Sequence, residues 1–316
     1  MARTRLFFAT DVHGSEACFL KFLNASRVYK ADVMILSGDL SGKLLVPIIE
    51  REDGSFETTF MGTHRVVNND KRIELERLVS KVGSYPYAVS RYEYDELLLR
   101  RDRVSGIFEG LIRERLKRWV TLAEERLRGS PAEHYVSGGN DDFPWVDEML
   151  RKSRVFVNGE GEAVRIRGGN EMITCGWSNP TPWDTPRETS EDDLSVRISK
   201  IAEKVESMDR CIFNLHAPPR NSDLDICQRL TEELKPIFVG GQPELFNAGS
   251  QAVRDCIDSY KPMLGLHGHI HESRGVTQIG RTLCVNPGSE YAETILRGVV
   301  LDLESNKVRS HIFTSG

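Results

Sequence analysis

Short apolar runs, each ending close to a polar side chain, recur along the chain. Leu6–Ala9 ends close to Asp11, and Val33–Leu36 ends close to Asp39. Runs of four apolar residues without alternation are typical of strands buried on both faces. Glu16–Tyr29 has apolar residues at helical spacing, so the segment predicts a βαβ unit with two parallel, neighbouring strands. The polar residues then lie beyond the carboxyl ends of the strands, where open α/β sheets bind ligands.

The same pattern returns after residue 133. We predict strands at Tyr135–Val136, Val155–Val157, Ala163–Arg167, Met172–Gly176, Cys211–Leu215, Met263–Leu266, Val276–Ile279, Leu283–Val285, Val299–Leu303 and Val308–Phe313. We predict helices over Phe143–Leu150, Asp192–Ser207 and Ser250–Tyr260. Strands that alternate with helices indicate the α/β class, and residues 1–316 are interpreted as a single domain.

Residues 44–129 depart from this alternation. We predict a hairpin of Val46–Glu50 and Phe56–Thr63, followed by charged helices over Asn68–Val82 and Glu93–Leu127. Gly106 and Gly110 are the positions where the longer helix is expected to bend or break. We interpret 44–129 as an insertion that forms a cap or an interaction arm, through which two copies of the chain could pair.

Composition narrows the choice of partners and compartment. The 316 residues carry a formal net charge of −5, which disfavours long nucleic acid and leaves a small anionic substrate open. The six cysteines are scattered, with no CxxC pair, as is typical of reduced thiols in the cytoplasm. No apolar run approaches the roughly 18 residues of a membrane helix. The four apolar residues of Leu6–Ala9 are also too few for a signal peptide. We therefore expect a cytoplasmic protein without a membrane partner.

Seven potential metal ligands follow the predicted strands: Asp11, His13, Asp39, Asn140, His216, His269 and His271. Because the carboxyl ends of neighbouring parallel strands share one edge, we expect these side chains to converge. Carboxylate, imidazole and amide oxygen suit Mn, Fe, Zn or Ni. Seven ligands are too many for one tetrahedral ion but suit two ions with a bridging carboxylate, about 3.5–4 Å apart.

Each motif also has a purely structural alternative. Gly38-Asp39 fits a plain turn, and Asn140 fits a cap for the helix near Phe143–Leu150. His216, which precedes a Pro-Pro turn, fits a structural role. The ordered occurrence of all the motifs, each after its own strand, favours a metal centre. The remaining histidines are expected to be structural or at the surface: His64, His134, His267 and His311.

The ordered motifs resemble those of the calcineurin-like metallophosphoesterases, which read D-x-H, G-D, G-N-H-E/D, H and G-H-x-H. The matching residues here are Asp11-Val12-His13, Gly38-Asp39, Gly139-Asn140-Asp141, His216 and Gly268-His269-Ile270-His271. The resemblance spans roughly residues 5–43 and 133–303 and leaves 44–129 outside. It implies an α/β fold: a four-layer αββα sandwich of two central mixed sheets flanked by helices, with a helical and hairpin insertion.

The resemblance also implies a dinuclear centre. By its motifs, Asp11, His13 and His271 would hold one ion and Asn140, His216 and His269 the other, with Asp39 as the bridge. The implied cofactors are two divalent transition-metal ions, with Mn as the first expectation and Fe, Zn or Ni as alternatives. The implied activity is hydrolysis of a small phosphomonoester or phosphodiester, with nucleotides among the candidates, by a hydroxide held between the ions.

One departure from the family pattern keeps the function open. Asp141 stands where the family has the His that assists catalysis, and an ionised carboxylate near a phosphate would repel it. Asn140 and Arg220 are candidate substrate contacts, although Arg220 also fits a solvated loop. The alternative is a metal-binding scaffold with weak or no activity. A nuclease or protein phosphatase of the same superfamily is a further alternative. Substrate choice is expected to lie in 44–129 and in the loop 178–190.

Overall fold

Twenty strands and seven α-helices form over residues 3–316, the part of the chain that the computed structural model describes. The strands are β1 Arg3–Thr10, β2 Val33–Ser37, β3 Leu45–Glu50, β4 Phe56–Phe60, β5 Thr63–Val67, β6 Tyr85–Ser90, β7 Glu133–Ser137, β8 Phe156–Val157, β9 Ala163–Arg165, β10 Glu171–Cys175, β11 Cys211–Leu215, β12 Ile226–Gln228, β13 Phe238–Val239, β14 Gln242–Pro243, β15 Leu245–Asn247, β16 Leu264–Leu266, β17 Gly275–Ile279, β18 Thr282–Asn286, β19 Arg297–Glu304 and β20 Lys307–Ser315. The helices are α1 Glu16–Tyr29, α2 Arg72–Lys81, α3 Arg91–Leu98, α4 Arg101–Arg126, α5 Trp145–Arg151, α6 Glu191–Ala202 and α7 Gln251–Tyr260.

Two six-stranded mixed sheets form the centre of the fold. The first has the order β20-β19-β1-β2-β7-β8 and the second β17-β18-β16-β11-β10-β9. In the first sheet β1, β2 and β7 are parallel neighbours, and in the second β10, β11, β16 and β18 are parallel. The parallel pairing of β1 with β2 across α1 is the βαβ unit that the sequence predicts.

The two sheets pack face to face and each carries helices on its outer face. Along β1, Leu6 and Phe8 lie in the cluster between the sheets, and Phe7 and Ala9 lie in the cluster beneath α1, α4 and α5. This alternation follows from the two-residue period of a strand. Helices α6 and α7 cover the second sheet. The predicted αββα sandwich is therefore confirmed.

Residues 44–129 form a third sheet with the order β5-β4-β3-β6. The predicted hairpin corresponds to β3 and β4, while the sequence pattern missed β5 and β6. Ile48 packs toward Leu75 of α2, and Ile49 packs with Leu97 of α3. Helix α4 reaches back to the first central sheet, where Trp119 stacks on Phe19 of α1 with ring centroids 4.2 Å apart. That these residues are an insertion remains a prediction.

The predicted break at Gly106 or Gly110 is wrong. Helix α4 runs through both glycines, and the chain turns instead at Leu99 and Arg100. Both glycines are exposed and have no neighbouring atom within 4 Å of the position that a Cβ would take, so no packing contact there ends the helix. The turn at 99–100 lets α3 and α4 pack against one apolar cluster around Ile49.

Two further features complete the fold. The segment 226–247, for which the sequence predicts no element, forms two short ribbons, β12 with β15 and β13 with β14.

None of the helices over residues 3–316 combines the length and the apolar character that a bilayer crossing needs.

Candidate metal centre

Seven side chains from five strand ends meet at one rim of the sandwich. In the first sheet, Asp11 directly follows β1, Asp39 follows β2 after one glycine, and Asn140 follows β7. In the second sheet, His216 directly follows β11, and His269 and His271 lie just beyond β16. Because these strands are parallel within each sheet, their carboxyl ends lie at the same edge. The structure therefore brings together all seven residues that the sequence singles out.

Asp11, His13 and His271, here called the first group, lie close enough to share one cation. One ligand atom from each lies within 4.8 Å of the others. The Nε2 atoms of His13 and His271 face each other at 3.0 Å, and Asp11 Oδ1 lies 3.5 Å from His271 Nε2.

Asn140, His216 and His269, here called the second group, surround a neighbouring position. Asn140 Oδ1 lies 2.9 Å from His216 Nε2 and 2.8 Å from His269 Nδ1. Asp39 also lies within ligand distance of both imidazoles. The alternative role of Asn140 as a helix cap is not realised, because the cap residue of α5 is Pro144, without a side-chain hydrogen bond.

Asp39 lies between the two groups and offers one oxygen to each. Its Oδ2 is 3.6 Å from His13 Nε2, and its Oδ1 is 3.5 Å from His216 Nε2. A carboxylate in this position can bridge two cations. A third set of side chains, His13, Asp39 and Asp141, also lies within ligand distance.

Hydrogen bonds among the clustered side chains leave a buried polar atom unsatisfied, and a bound cation would satisfy it. Asp11 Oδ1 is buried and has no hydrogen-bond partner among the described residues. An unsatisfied buried carboxylate oxygen is costly, and a divalent ion would satisfy it. A Cβ at Gly139 would lie 2.3 Å from Asp39 Oδ1, so only glycine allows the backbone this close to the bridging carboxylate. The donor set of carboxylate, imidazole and amide suits a divalent transition metal.

Three of the ligand residues have a strained backbone. Asp11 has φ 52°, His13 has φ 39° and His269 has φ 66°, all in the left-handed region that residues with a Cβ avoid. Such strain persists where the surroundings hold it in place, and it is common at functional sites.

Burial and nearby charges shift the pKa values of the clustered histidines in opposite directions. Burial disfavours the charged form of His216, but Asp39 and Asp11 outweigh burial and raise its pKa to about 9. Burial, with the Lys43 charge, lowers the pKa of His13 to about 3, and burial lowers that of His269 to about 4. Burial would raise the pKa of Asp39, but His216 more than offsets it and holds that pKa well below its usual range.

Asp141 is paired rather than isolated. Its Oδ2 lies 2.7 Å from Lys43 Nζ and 3.6 Å from His13 Nδ1, and its backbone N–H donates to Asp39 Oδ1. Burial, followed by the nearby Asp39 charge, raises the pKa of Asp141 to about 7. The repulsion that the sequence predicts between Asp141 and an anion is therefore partly offset by Lys43. Arg220 has an exposed side chain, and its backbone N–H bonds to Ser250.

Several supporting residues escaped the sequence reasoning. Lys43 carries no motif, and neither do the buried Arg115 and Arg187, because nothing in the local sequence marks an arginine as buried. Tyr291 packs against His13 with ring centroids 4.7 Å apart. Of the histidines expected to be structural, His267 is fully buried and its Nδ1 lies 2.9 Å from the Leu215 carbonyl.

Comparisons with known proteins found one partial sequence relative and structures that are similar in fold. No protein-family model matches the chain. The uncharacterized protein MJ1162 of Methanocaldococcus jannaschii is 32% identical over 154 residues, which cover 48% of this chain and 62% of that relative. The match thus spans less than two thirds of the relative's length.

Two solved structures match almost end to end. A crystal structure with TM-score 0.58 and 15% identity covers 98% of this chain and 99% of its own. TT1561 of Thermus thermophilus, with TM-score 0.54 and 13% identity, covers 100% of this chain and 99% of its own. The likeness is one of fold. At these identities it carries no statement about activity.

Proposed function

We propose that this chain is a metal-dependent phosphoesterase that hydrolyses a small phosphomonoester or phosphodiester at a two-metal centre. The observation that carries the proposal is the position of Asp39, whose two oxygens face His13 and His216, one from each ligand group. A shared carboxylate between two imidazole-rich groups is an arrangement that suits two-metal phosphoester chemistry. The motif resemblance to calcineurin-like metallophosphoesterases supports the same proposal.

Each ligand group has a defined role in this proposal. The first group holds one ion, the second group holds the other, and Asp39 joins them. Two divalent cations in these positions would lower the pKa of a water molecule and neutralise charge on the phosphate. Manganese is the first expectation because the ligands are mostly oxygen and imidazole, with Fe, Zn or Ni as alternatives.

Lys43 is the cation that we propose meets the substrate phosphate. Its side chain is about half exposed, and its Nζ lies 2.7 Å from the carboxylate of Asp141 beside the bridge. An ammonium has three donors, so the pairing with Asp141 leaves donors for a phosphate oxygen. Arg220, with its exposed side chain, stays a second candidate substrate contact.

The test is one assay with matched variants. Wild-type protein supplied with Mn²⁺ should contain two ions per chain and hydrolyse bis(4-nitrophenyl) phosphate or 4-nitrophenyl phosphate. Asp39→Asn should lose at least about 100-fold in kcat and bind fewer ions, because one bridging oxygen becomes an amide. Lys43→Gln should raise KM several-fold and keep the metal content.

Asp302→Asn is the matched control. Asp302 is also a buried carboxylate, but it bonds Arg5 at the opposite end of β1 from Asp11. It should keep both metal content and rate. The proposal would be contradicted if wild-type protein took up no metal after incubation with Mn²⁺, or if the Asp39→Asn variant were as active as wild type.

We further propose that the protein is cytoplasmic and that two copies can pair through residues 44–129. All six cysteines are free thiols, which supports the cytoplasm as the compartment. Leu98 and Leu99 are exposed at the junction of α3 and α4 and would be the apolar contacts if residues 44–129 pair two chains. Light scattering of the purified protein tests pairing, and a monomer at high concentration would rule it out.

A further inference from the structure

Two arginine side chains lie almost fully buried beside the metal centre. Arg115 of α4 is 2% exposed and Arg187 is 1% exposed. A buried guanidinium is costly unless its donors are used. The groups that each arginine bonds therefore show which part of the structure it holds in place.

Arg115 bonds the loop after β1, which carries Asp11 and His13 of the first group and is here called the metal loop. Its Nη1 donates to the Gly14 carbonyl at 2.8 Å, one residue after His13, and its Nη2 donates to Ser80 Oγ at 3.1 Å. The guanidinium lies over the Tyr85 ring, 4.1 Å from the centroid. Arg115, Ser80 and Tyr85 all belong to residues 44–129, so this segment reaches the metal loop through a buried cation.

The loop that Arg115 bonds has a strained backbone. Asp11 and His13 both have positive φ, a conformation that residues with a Cβ avoid. A charged donor on the Gly14 carbonyl is among the stronger single hydrogen bonds that can offset this strain.

Arg187 bonds the loop that carries Asn140. Its Nε donates to the Asp142 carbonyl at 2.7 Å and its Nη2 to the Phe143 carbonyl at 3.0 Å. Its Nη1 lies 2.9 Å from Asp147, and its backbone N–H donates to the Asn140 carbonyl. All of these contacts lie in residues 140–147, and none involves the loop of Asp11 and His13.

Resting on the proposed function, we propose that Arg115 and Arg187 are positioning residues, each for a different metal position. Arg115 fixes the backbone that presents Asp11 and His13, and so sets the affinity of the first group. Arg187 fixes the backbone that presents Asn140, and so sets the affinity of the second group. The segment 44–129 is therefore part of the metal site, because it supplies the support for one ion.

The experiment measures Mn²⁺ affinity by calorimetry in two single-site backgrounds. His269→Ala retains the first group, and His271→Ala retains the second. Arg115→Met should weaken binding at least about tenfold in the His269→Ala background and less than about threefold in the other, as substitutions behind metal ligands do. Arg187→Met should show the reverse. Arg115→Lys should recover part of the loss, because an ammonium can still donate to Gly14.

Arg5→Met is the control for general loosening. Arg5 donates to the buried Asp302 at 2.9 Å, away from both metal loops, so its loss should lower the melting temperature without changing either affinity. Equal losses in both backgrounds, or no loss in either, would overturn the proposal. A wild-type chain that binds no Mn²⁺ would overturn it too.

Failure of the proposed hydrolytic activity alone looks different. In that case wild-type protein binds Mn²⁺ at both positions and hydrolyses neither ester. The affinity comparison still decides whether Arg115 and Arg187 act on separate positions.

Discussion

His216 shows at the residue scale how buried charges set the conditions for metal binding. Asp39 and Asp11 surround its ring and keep it protonated, although burial alone would make it neutral. His13 and His269 have lowered pKa values and are already neutral near pH 7. Because a metal ligand must present an unprotonated nitrogen, His216 is the one of the three proposed imidazole ligands that would have to lose a proton first.

We therefore predict that metal affinity rises with pH up to about 9. The pKa of His216 is raised to about 9, so the ring carries a proton below that pH and gives it up when a cation binds. Between about pH 6.5 and 8.5 the affinity for Mn²⁺ should increase by about tenfold per pH unit. Calorimetry in two buffers of different ionisation enthalpy should detect between one and two protons released at neutral pH, one from His216 and a fraction of one from Asp141, whose pKa is raised to about 7. His216→Asn should show a flatter dependence, and an equally steep dependence in that variant would assign the proton to another group.

At the element scale, the loop after β2 and the turn after α2 are packed backbone against backbone. A Cβ at Gly42 would lie 1.9 Å from the Gly83 carbonyl oxygen and 2.9 Å from that of His13. Gly42 N–H also donates to the Tyr85 hydroxyl. The contact joins residues 44–129 to the metal loop, and only glycine fits there.

The same substitution should therefore have opposite effects at two glycines. Gly42→Ala should lower the free energy of unfolding by about 1–3 kcal/mol, as overpacking does, and weaken Mn²⁺ binding because the His13 backbone is displaced. Gly110→Ala in α4 has no neighbour within 4 Å and should raise stability by up to about 1 kcal/mol. Urea unfolding of both variants gives the comparison. If Gly42→Ala kept its stability and its metal affinity, the two backbone segments would be able to move apart without cost.

At the scale of the whole molecule, the proposed metal centre lies where the rims of the two central sheets meet. Asp11, Asp39 and Asn140 follow strands of the first sheet, and His216 and His269 follow strands of the second. Cations held between them would link the rims of both layers. A ligand that binds only the folded chain stabilises it by mass action.

Metal addition should therefore raise the melting temperature of the entire chain in one transition. At a free Mn²⁺ concentration about 100 times the Kd, the gain is about 2.7 kcal/mol, equivalent to several degrees for a chain of this size. Differential scanning calorimetry before and after removal of metal by EDTA measures the shift. Asp39→Asn should respond much less than wild type. A shift of the same size in both would place the stabilising ion elsewhere.

The bounds of the helices and strands show what local sequence patterns can and cannot predict. Helix α1 over Glu16–Tyr29 and strand β11 over Cys211–Leu215 have the predicted bounds, because buried apolar runs and helical spacing are local signals. The pattern missed β6 at Tyr85–Ser90, whose pairing partner β3 lies some forty residues earlier. It also placed the break of the long helix at glycines, when the apolar cluster around Ile49 decided it.

The sequence by itself determined which side chains could bind metal and that they follow strands, because ligand chemistry and strand periodicity are both visible within a few consecutive residues. Only the tertiary structure decided that Asp39 turns one oxygen to each group, that Lys43 pairs with Asp141, and that Arg115 lies under the metal loop. The reason is physical. These contacts join residues far apart in the chain, as Asp39 and His216 are, and their geometry exists only once the sheets have packed.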